Sequence, residues 1–407
     1  MAFLHLQFRR SGVRVLLAAI ASSALLAACS SGVPGAASNS STGAFRIGFT
    51  GALTGPNAAV YAAVYESISI YLQRLNDQGG INGRRVDLLV EDDAGDATRA
   101  TANATRLVNQ ENVPLLILAS PSASYGPVMA ITKAAATPVL IVGACPKETL
   151  PPAEPLVYCS ASYGTTYDSA AAIRFIRSIA TGEVRLGLVG VDVPVSRAYM
   201  DSGAAYGSAA GMQVATTQIM PLTVTDFTPF ATQVAQSGAN WAWAGGPWGA
   251  EIGPFDALQK LGWRGNYMLW AHQPAEEEFR RRHSPNLYGL AANTLFAENL
   301  PIHNEIRIAA AKYGATYPAE QLAEGWVTAM ALEETLRTTE APGLGTQVQA
   351  ALNTLDLDTR GLRGTRLTFT PENHFRTRTS YRVYHWDERQ ERIVALRDWE
   401  TVDILPR

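Results

Sequence analysis

Four carboxylates stand close together early in the chain. Glu91, Asp92, Asp93 and Asp96 fall within six consecutive positions, directly behind a strand-like apolar run. Carboxylates at this density can bind a divalent cation or work as an acid–base pair. A calcium loop that began at Asp92 would have Asn103 at its twelfth position, where a bidentate glutamate is needed. The spacing therefore excludes that metal motif.

A structural role fits the acidic cluster better. Glu91 to Asp93 end a predicted strand, and Asp96 stands directly before the helical segment "ATRATANATRLV". Aspartate is a preferred residue at the N-cap of a helix, and the helix dipole favours negative charge there. The sequence predicts that Asp96 caps this helix and that the cluster marks a strand end.

Motifs of the common α/β enzymes are missing from the sequence. It contains no G-x-S-x-G elbow, no G-x-x-x-x-G-K-[ST] loop, no G-x-G-x-x-G fingerprint and no H-E-x-x-H pair. The six histidines are scattered, without the close His/Cys/Asp spacing of a metal site. We therefore predict no catalytic residues, no metal and no cofactor.

Composition narrows the classes of partner. The chain has 407 residues, 47% of them hydrophobic and 17% charged, with a net charge of -3. This balance is typical of a globular protein of two or three domains. A mildly acidic chain offers no basic face for nucleic acid, so no nucleic-acid partner is expected. No internal apolar run approaches the ~20 residues of a membrane span.

The N-terminus has the pattern of an export signal. Three arginines precede a short apolar run, which ends at Leu26-Ala27-Ala28-Cys29. This ending resembles the bacterial lipoprotein signal, in which the cysteine is lipidated. Residues 1–29 are thus predicted to be a lipoprotein signal peptide; the alternative is an ordinary signal peptide cleaved nearby. Residues 30–44, rich in Ser, Gly and Ala, form a predicted flexible tether. We expect an exported, periplasmic or cell-surface lipoprotein held to a membrane by its lipid anchor alone.

Two cysteines remain after the tether. Cys145 and Cys159 form an even pair in a chain expected to reach an oxidising compartment. We predict a disulfide between them. The alternative is two separate buried thiols.

Strands and helices alternate along the rest of the chain. Apolar runs such as "PLLILAS" and "EVRLGLVGV" are followed by helical segments of roughly 10–15 residues. This order predicts βαβ units, and the strands' lack of polar alternation indicates sheets covered on both faces. The fold class is α/β, with mostly parallel sheets. Ligands of such folds bind at the carboxyl ends of the strands.

Several segments, taken in order, resemble one protein family. They are "GALTGPNA", "LNDQGGINGRRVDLLVEDDAGD", "TDFTPFATQVAQSGANWAWAGG", "LQKLGWRGNYM" and "GTRLTFTPENHF". This order and spacing is similar to the type I periplasmic solute-binding proteins of ABC importers, the leucine/isoleucine/valine-binding (branched-chain amino acid) family. The resemblance extends from Phe45 to about Asp403. It implies two Rossmann-like lobes, residues 45–160 with 296–364 and residues 161–295 with 365–407. A hinge of three chain crossings joins them, and they close on a ligand.

The resemblance also implies ligand contacts from the first lobe. The family binds its ligand's carboxylate with a serine after the strand written here "LLILAS". The matching residue is Ser122, with Ser120 and Ser124 as alternatives, and any of them could instead cap the following helix. A family backbone carbonyl falls at Ala144 or Cys145. Lys147 matches a position where many relatives carry a hydroxyl, or it is a solvated loop lysine.

The second lobe is expected to contribute aromatic side chains. Trp248 matches one family position, and Trp270 ends a strand nearby. At another position relatives have a tyrosine, whereas this chain has Val195-Ser196. Amino-acid-binding relatives place an acid after "NYMLW", where this chain has Ala271 or His272. The expected acid is missing, so the ligand is predicted to be an acid or amide that can lack an α-amino group.

The resemblance implies a binding protein rather than an enzyme. The expected function is an amino-acid-transport lipoprotein of an ABC importer, which captures a small amino acid or a related carboxylate or amide and delivers it to permease subunits. Two alternatives remain at this point. One is a ligand-binding module of a sensing system, and the other is a secreted α/β enzyme.

Overall fold

The computed structural model describes residues 43–163, 166–246, 248–339 and 345–404. The predicted signal peptide with Cys29, and all but the last two residues of the predicted tether, lie outside these described residues. In the described part, no helix combines the length and the apolar character that a membrane span needs.

The first sheet is parallel and has the strand order β2-β1-β3-β4-β5. Its strands are β1 (Phe45–Gly51), β2 (Val86–Asp92), β3 (Leu116–Ala119), β4 (Val139–Ile141) and β5 (Val157–Cys159). The helices that connect them are α1 (Ala58–Asp77), α2 (Ala97–Asn109) and α3 (Tyr125–Ala134). Strand order and helix crossovers are those of a βαβ sheet.

Both faces of this sheet are buried. Around β3, Leu115 and Ile117 pack into one core cluster, whereas Leu116 and Leu118 pack into another. Successive strand residues point to opposite faces, so an uninterrupted apolar run supplies both helix layers.

The second sheet is mixed. Strands β6 (Arg185–Val191), β7 (Gln213–Met220), β8 (Trp241–Gly245), β9 (Asn266–Trp270) and β10 (Leu287–Ala291) are parallel. A two-stranded ladder of β11 (Asp356–Leu357) and β12 (Leu367–Thr368) comes next along the chain, before β13 (Arg378–Asp387), β14 (Arg392–Ala395) and β15 (Glu400–Asp403). Strand β13 pairs antiparallel with β10, β14 and β15. The sequence predicted the parallel strands but not this antiparallel edge.

The described residues of the second sheet's stretch of the chain form α4 (Thr166–Ile179), α5 (Pro194–Ala209), α6 (Thr228–Gln236), α7 (Trp248–Lys260) and α8 (Ala275–Arg282). Trp243 is fully buried and Trp241 nearly so, as expected for strand residues between helix layers.

The chain later returns to the first sheet, where its described residues form α9 (Pro301–Tyr313), α10 (Ala323–Arg337) and α11 (Gly345–Leu352). Helix α10 lies so close to α1 that a Cβ on Gly325 would stand 2.3 Å from the carbonyl oxygen of Val64. The chain therefore crosses between the sheets after β5, after β10 and again before β13. The predicted α/β fold with two sheets is confirmed.

Candidate functional site

A small cavity lies where the carboxyl ends of strands from both sheets meet. Its volume is about 30 Å³, so the surrounding side chains approach one another closely. We call Tyr61, Ser122 and Ala144 the first side. The second side comprises Val195, Tyr199, Glu251, Trp270 and His272, and Tyr163 reaches the cavity from the first chain crossing. Strand ends of α/β sheets are the usual place for a ligand.

Ser122 links the two sides directly. It follows β3, is buried, and lines the cavity. Its Oγ accepts a hydrogen bond of 3.2 Å from the backbone N–H of Val195, in the first turn of α5. The first N–H groups of a helix have no partner within the helix. Ser122 on the first side therefore provides the hydrogen-bond acceptor for a free helix N–H group on the second side.

The two alternative serines are placed differently. The Ser120 hydroxyl donates to the buried carboxylate of Asp93. Ser124 is fully buried, and its hydroxyl has no hydrogen-bond partner among the described residues. Of the three serines, Ser122 is the one that lines the cavity.

The acidic cluster is structural. Asp96 caps α2 by accepting from the N–H of Arg99 at 2.8 Å, as the sequence predicted. Asp92 accepts from the N–H of Leu53 at 3.0 Å, which fixes the loop after β1. Burial raises the pKa of Asp93, although hydrogen bonds from Ser120 and other donors oppose the shift. Within the described ranges, no group of three or more His, Cys, Asp or Glu side chains could hold a metal ion.

The loop after β4 is held by a disulfide. Cys145 and Cys159 are joined with an S–S distance of 2.08 Å, and the Cys145 N–H donates to the carbonyl of Tyr163 at 2.9 Å. Ala144 lines the cavity, next to the disulfide. Lys147 is exposed in a short 3-10 turn and is not among the described residues that line the cavity.

Two tyrosines on or beside the first side were not predicted. Tyr61 lies on α1, in a stripe of apolar residues that resembles ordinary core. Tyr163 follows β5, and its buried hydroxyl has no hydrogen-bond partner among the described residues. Burial raises the pKa of both phenols, so they remain neutral donors. The position of Tyr163 just after a strand end was the available signal.

A buried acid–imidazole pair occupies the second side. His272 Nε2 lies 3.3 Å from Glu251 Oε2 and 3.0 Å from the carbonyl oxygen of Gly246. Glu251 Oε1 in turn accepts from the N–H of Gly246 at 2.9 Å. Burial raises the pKa of Glu251, and His272 opposes that shift. An acid from α7 thus lines the cavity, whereas none follows β9 directly.

Aromatic rings form the rest of the second side. Trp270 lines the cavity, as the sequence suggested, and its ring lies 5.7 Å from that of Tyr163. Tyr199 also lines it, and its hydroxyl donates to Asp168 at 2.7 Å. The side chain of Trp248 lies outside the described residues.

The three chain crossings meet at a buried ion pair. Glu324 Oε1, on α10, accepts from Arg363 Nη2 at 3.0 Å and from the N–H of Ser162 at 2.7 Å. Its other oxygen accepts from the amide of Asn293, whose Oδ1 accepts from Arg363 Nε at 2.9 Å. Ser162, Asn293 and Arg363 belong to the first, second and third crossings. We call these four residues the crossing cluster.

A family model described as periplasmic binding protein matches residues 44–391. A comparison with curated proteins finds no match. The family match covers the first sheet, the second sheet through β13, and every cavity-lining residue described above.

Solved structures share the fold. A substrate-binding periplasmic protein from Ralstonia solanacearum has a TM-score of 0.76 at 16% identity, over 86% of this chain and 99% of that chain. A solute-binding protein of an ABC transporter from Rhodopseudomonas palustris BisB5, in complex with 3,4-dihydroxybenzoic acid, has a TM-score of 0.75 at 14% identity, over 89% and 98%. One from R. palustris in complex with 4-hydroxybenzoate has a TM-score of 0.72 at 16% identity, again over 89% and 98%.

Proposed function

Because the chain belongs to the periplasmic binding protein family, we propose that it is the extracytoplasmic solute-binding lipoprotein of an ABC importer. At the level of that family the resemblance seen in the sequence is confirmed, and the family is one of binding proteins, not of enzymes. Binding of a branched-chain amino acid stays a prediction.

We infer that the ligand is a small carboxylate or amide held between the two sides of the cleft. The observation that carries this inference is the hydrogen bond from Val195 to Ser122, which brings the strand ends of both sheets to one cavity. The hydroxyls of Tyr61, Ser122 and Tyr163 are neutral donors that suit a carboxylate or amide oxygen.

The second side suits the remainder of such a ligand. Trp270 offers an aromatic face to a planar or apolar body. Glu251 and His272 offer a carboxyl–imidazole hydrogen-bonding pair to an ammonium, hydroxyl or amide group. The two R. palustris neighbours are crystallised with hydroxybenzoic acids, which supports aromatic acids alongside amino acids and amides.

Closing is proposed to take place about the crossing cluster. We retain the lobes that the family resemblance implies, residues 45–160 with 296–364 and residues 161–295 with 365–407. A ligand that contacts both sides binds the closed form with more contacts than the open form, and so shifts the population toward it. The closed form would then dock on permease subunits.

A screen by thermal shift tests the proposed ligand class. Wild-type protein is heated with single amino acids, their amides, and benzoic acids that carry hydroxyl or amide substituents. A ligand that binds the folded state stabilises it by mass action and so raises Tm. At a free ligand concentration of 100 times Kd, the free energy of unfolding increases by about 2.7 kcal/mol. Asp398→Asn, at a fully exposed side chain, serves as the matched control.

The control should reproduce every shift seen with the wild type. If no compound of the three classes shifts the wild-type Tm, the ligand is not a small carboxylate or amide. Membrane attachment is tested separately, by mass spectrometry of the native N-terminus, which should show an acylated Cys29. An unmodified terminus at another residue would contradict the anchor.

A further inference from the structure

A second small cavity adjoins the one described above, on the side of the chain crossings. It has a volume of about 30 Å³, and Tyr163 and His272 line both cavities. Their rings meet edge to face, with centroids 4.5 Å apart, and form the partition between the two spaces. The remaining wall includes Ser162, Gln273, Asn293 and Glu324.

Gln273 is the unusual group in this wall. Only 8% of its surface is exposed. Neither its Oε1 nor its Nε2 has a hydrogen-bond partner among the described residues. Leaving a buried amide unpaired is unfavourable, and most buried side-chain polar atoms in proteins have a partner. A buried amide without a hydrogen-bond partner on a cavity wall indicates a binding group for a ligand in that cavity.

Asn293 and Glu324, the crossing-cluster side chains in this wall, have hydrogen-bond partners other than Gln273. Asn293 is hydrogen-bonded to Glu324 and Arg363, and Glu324 and Arg363 form an ion pair with each other inside the crossing cluster. Gln273 therefore plays no part in the hydrogen bonds that hold the crossings. It follows His272 directly, so one loop after β9 serves both cavities.

We propose that Gln273 forms a second polar subsite of the same cleft, which receives a neutral amide or hydroxyl at the end of the ligand remote from Ser122. This rests on the proposed function. A carboxamide side chain can both donate and accept, as an amide or hydroxyl requires. The carboxylates of Glu320 and Glu324 line the same cavity, so a second anionic group there would be repelled. The ligand class is thus a monoacid with a neutral polar far end.

Two matched series of probes test the subsite by titration calorimetry. One is benzoate with hydrogen, hydroxyl, carboxamide or carboxylate at the para position, and the other is butanoate with the same four groups at C4. Wild-type protein should bind the hydroxyl or carboxamide member of a series at least about 10-fold more tightly than its hydrogen and carboxylate members.

Gln273→Leu should remove that preference and leave the affinity for the hydrogen-ended member within about 2-fold. Because it replaces an unpaired buried amide by an apolar side chain of similar size, the ligand-free variant should melt no lower than the wild type. If Gln273 had a merely structural role, this substitution would lower Tm. Gln218→Leu, on the edge strand β7, where the amide donates to Thr216, is the control and should keep the preference.

The outcomes separate this proposal from the one before it. If wild-type protein binds a series without distinguishing its ends, or if Gln273→Leu keeps the preference, the subsite is absent while the proposed function stands. If Gln273→Leu melts well below the wild type, its amide is structural. If neither series binds at all, the ligand class is wrong and the subsite falls with it.

Discussion

The two sides of the cleft present different chemistry to one cavity. The first side is uncharged, with hydroxyls at Ser122 and Tyr61, and its β4 loop is held covalently by the Cys145–Cys159 disulfide. The second side carries the buried pair of Glu251 and His272 and is held by hydrogen bonds and packing. The two ends of the cleft therefore differ, with neutral hydroxyl donors at one end and a carboxyl–imidazole pair at the other.

The largest effect is expected where the sides are joined. Arg363→Met leaves the buried carboxylate of Glu324 without its cation, and loss of one partner of a buried ion pair costs about 3–5 kcal/mol. Urea unfolding followed by tryptophan fluorescence should show a loss of that size. The double variant Glu324→Met/Arg363→Met should lose clearly less. Equal losses would mean that the pair does not hold the crossings.

Breaking the covalent brace should weaken the first side. The cysteines are 14 positions apart, and closing a loop of about 15 residues stabilises by about 3 kcal/mol in the chain-entropy model. Cys145→Ala/Cys159→Ala should show this loss in urea unfolding, and reductant should reproduce it in the wild type. A variant as stable as the oxidised wild type would contradict the brace.

Protonation of His303, near the second crossing, should lower stability at acidic pH. His303 is fully buried, bonded to Thr294 of that crossing, and burial lowers its pKa to about 4. The unfolded chain, with a pKa of about 6.5, binds the proton first as pH falls. The contribution of His303 to the free energy of unfolding is therefore fully present at pH 7.5, and it falls by about 2–3 kcal/mol toward pH 4.

The difference between the wild type and His303→Gln isolates this effect, because buried acids such as Glu251 titrate in the opposite sense. Urea unfolding of both proteins at pH 7.5 and pH 4.5 should give a smaller acid loss for the variant. Equal losses would mean that His303 is protonated in the folded state.

A site residue could be predicted from the sequence where the neighbouring residues alone determine its place in the fold. The family resemblance pointed to Ser122 and Ala144, and strand prediction placed them and Trp270 just after or at the ends of apolar strands. Asp96 was recognisable as a helix cap from its own neighbours. The position of these residues at strand and helix ends needed only the pattern around them.

Other site residues depend on tertiary contacts. Tyr61 and Tyr199 lie in helices whose apolar spacing resembles core, and Glu251 is one acid in a helix of mixed character. Glu324 and Arg363 stand 39 positions apart and meet only because three crossings converge. The antiparallel edge at β13 likewise depends on long-range pairing with β10.

The second side should matter more to binding than the first side. Glu251→Gln removes the carboxyl group that contacts His272 while keeping the side chain's shape. Leaving a buried hydrogen-bonding group without its partner costs about 1–3 kcal/mol, so affinity should fall by about 5- to 150-fold. Calorimetric titration with the strongest compound of the thermal-shift screen measures it. Unchanged affinity would place the pair outside the binding site.

The smallest effect is expected on the first side. Ser122→Ala removes one neutral hydrogen bond, worth about 0.5–1.5 kcal/mol. The same titration should show a loss of about 2- to 12-fold. A loss larger than that of Glu251→Gln would reverse the comparison between the two sides.

Closing of both sides on one ligand is tested most directly by small-angle X-ray scattering. The radius of gyration is measured for wild type, Ser122→Ala and Glu251→Gln as ligand is added. We predict that it falls on saturation in all three, with midpoints that match each protein's calorimetric Kd. If the radius stays constant while calorimetry reports saturation, the ligand binds without bringing the two sides together, and the proposed cleft mechanism is wrong.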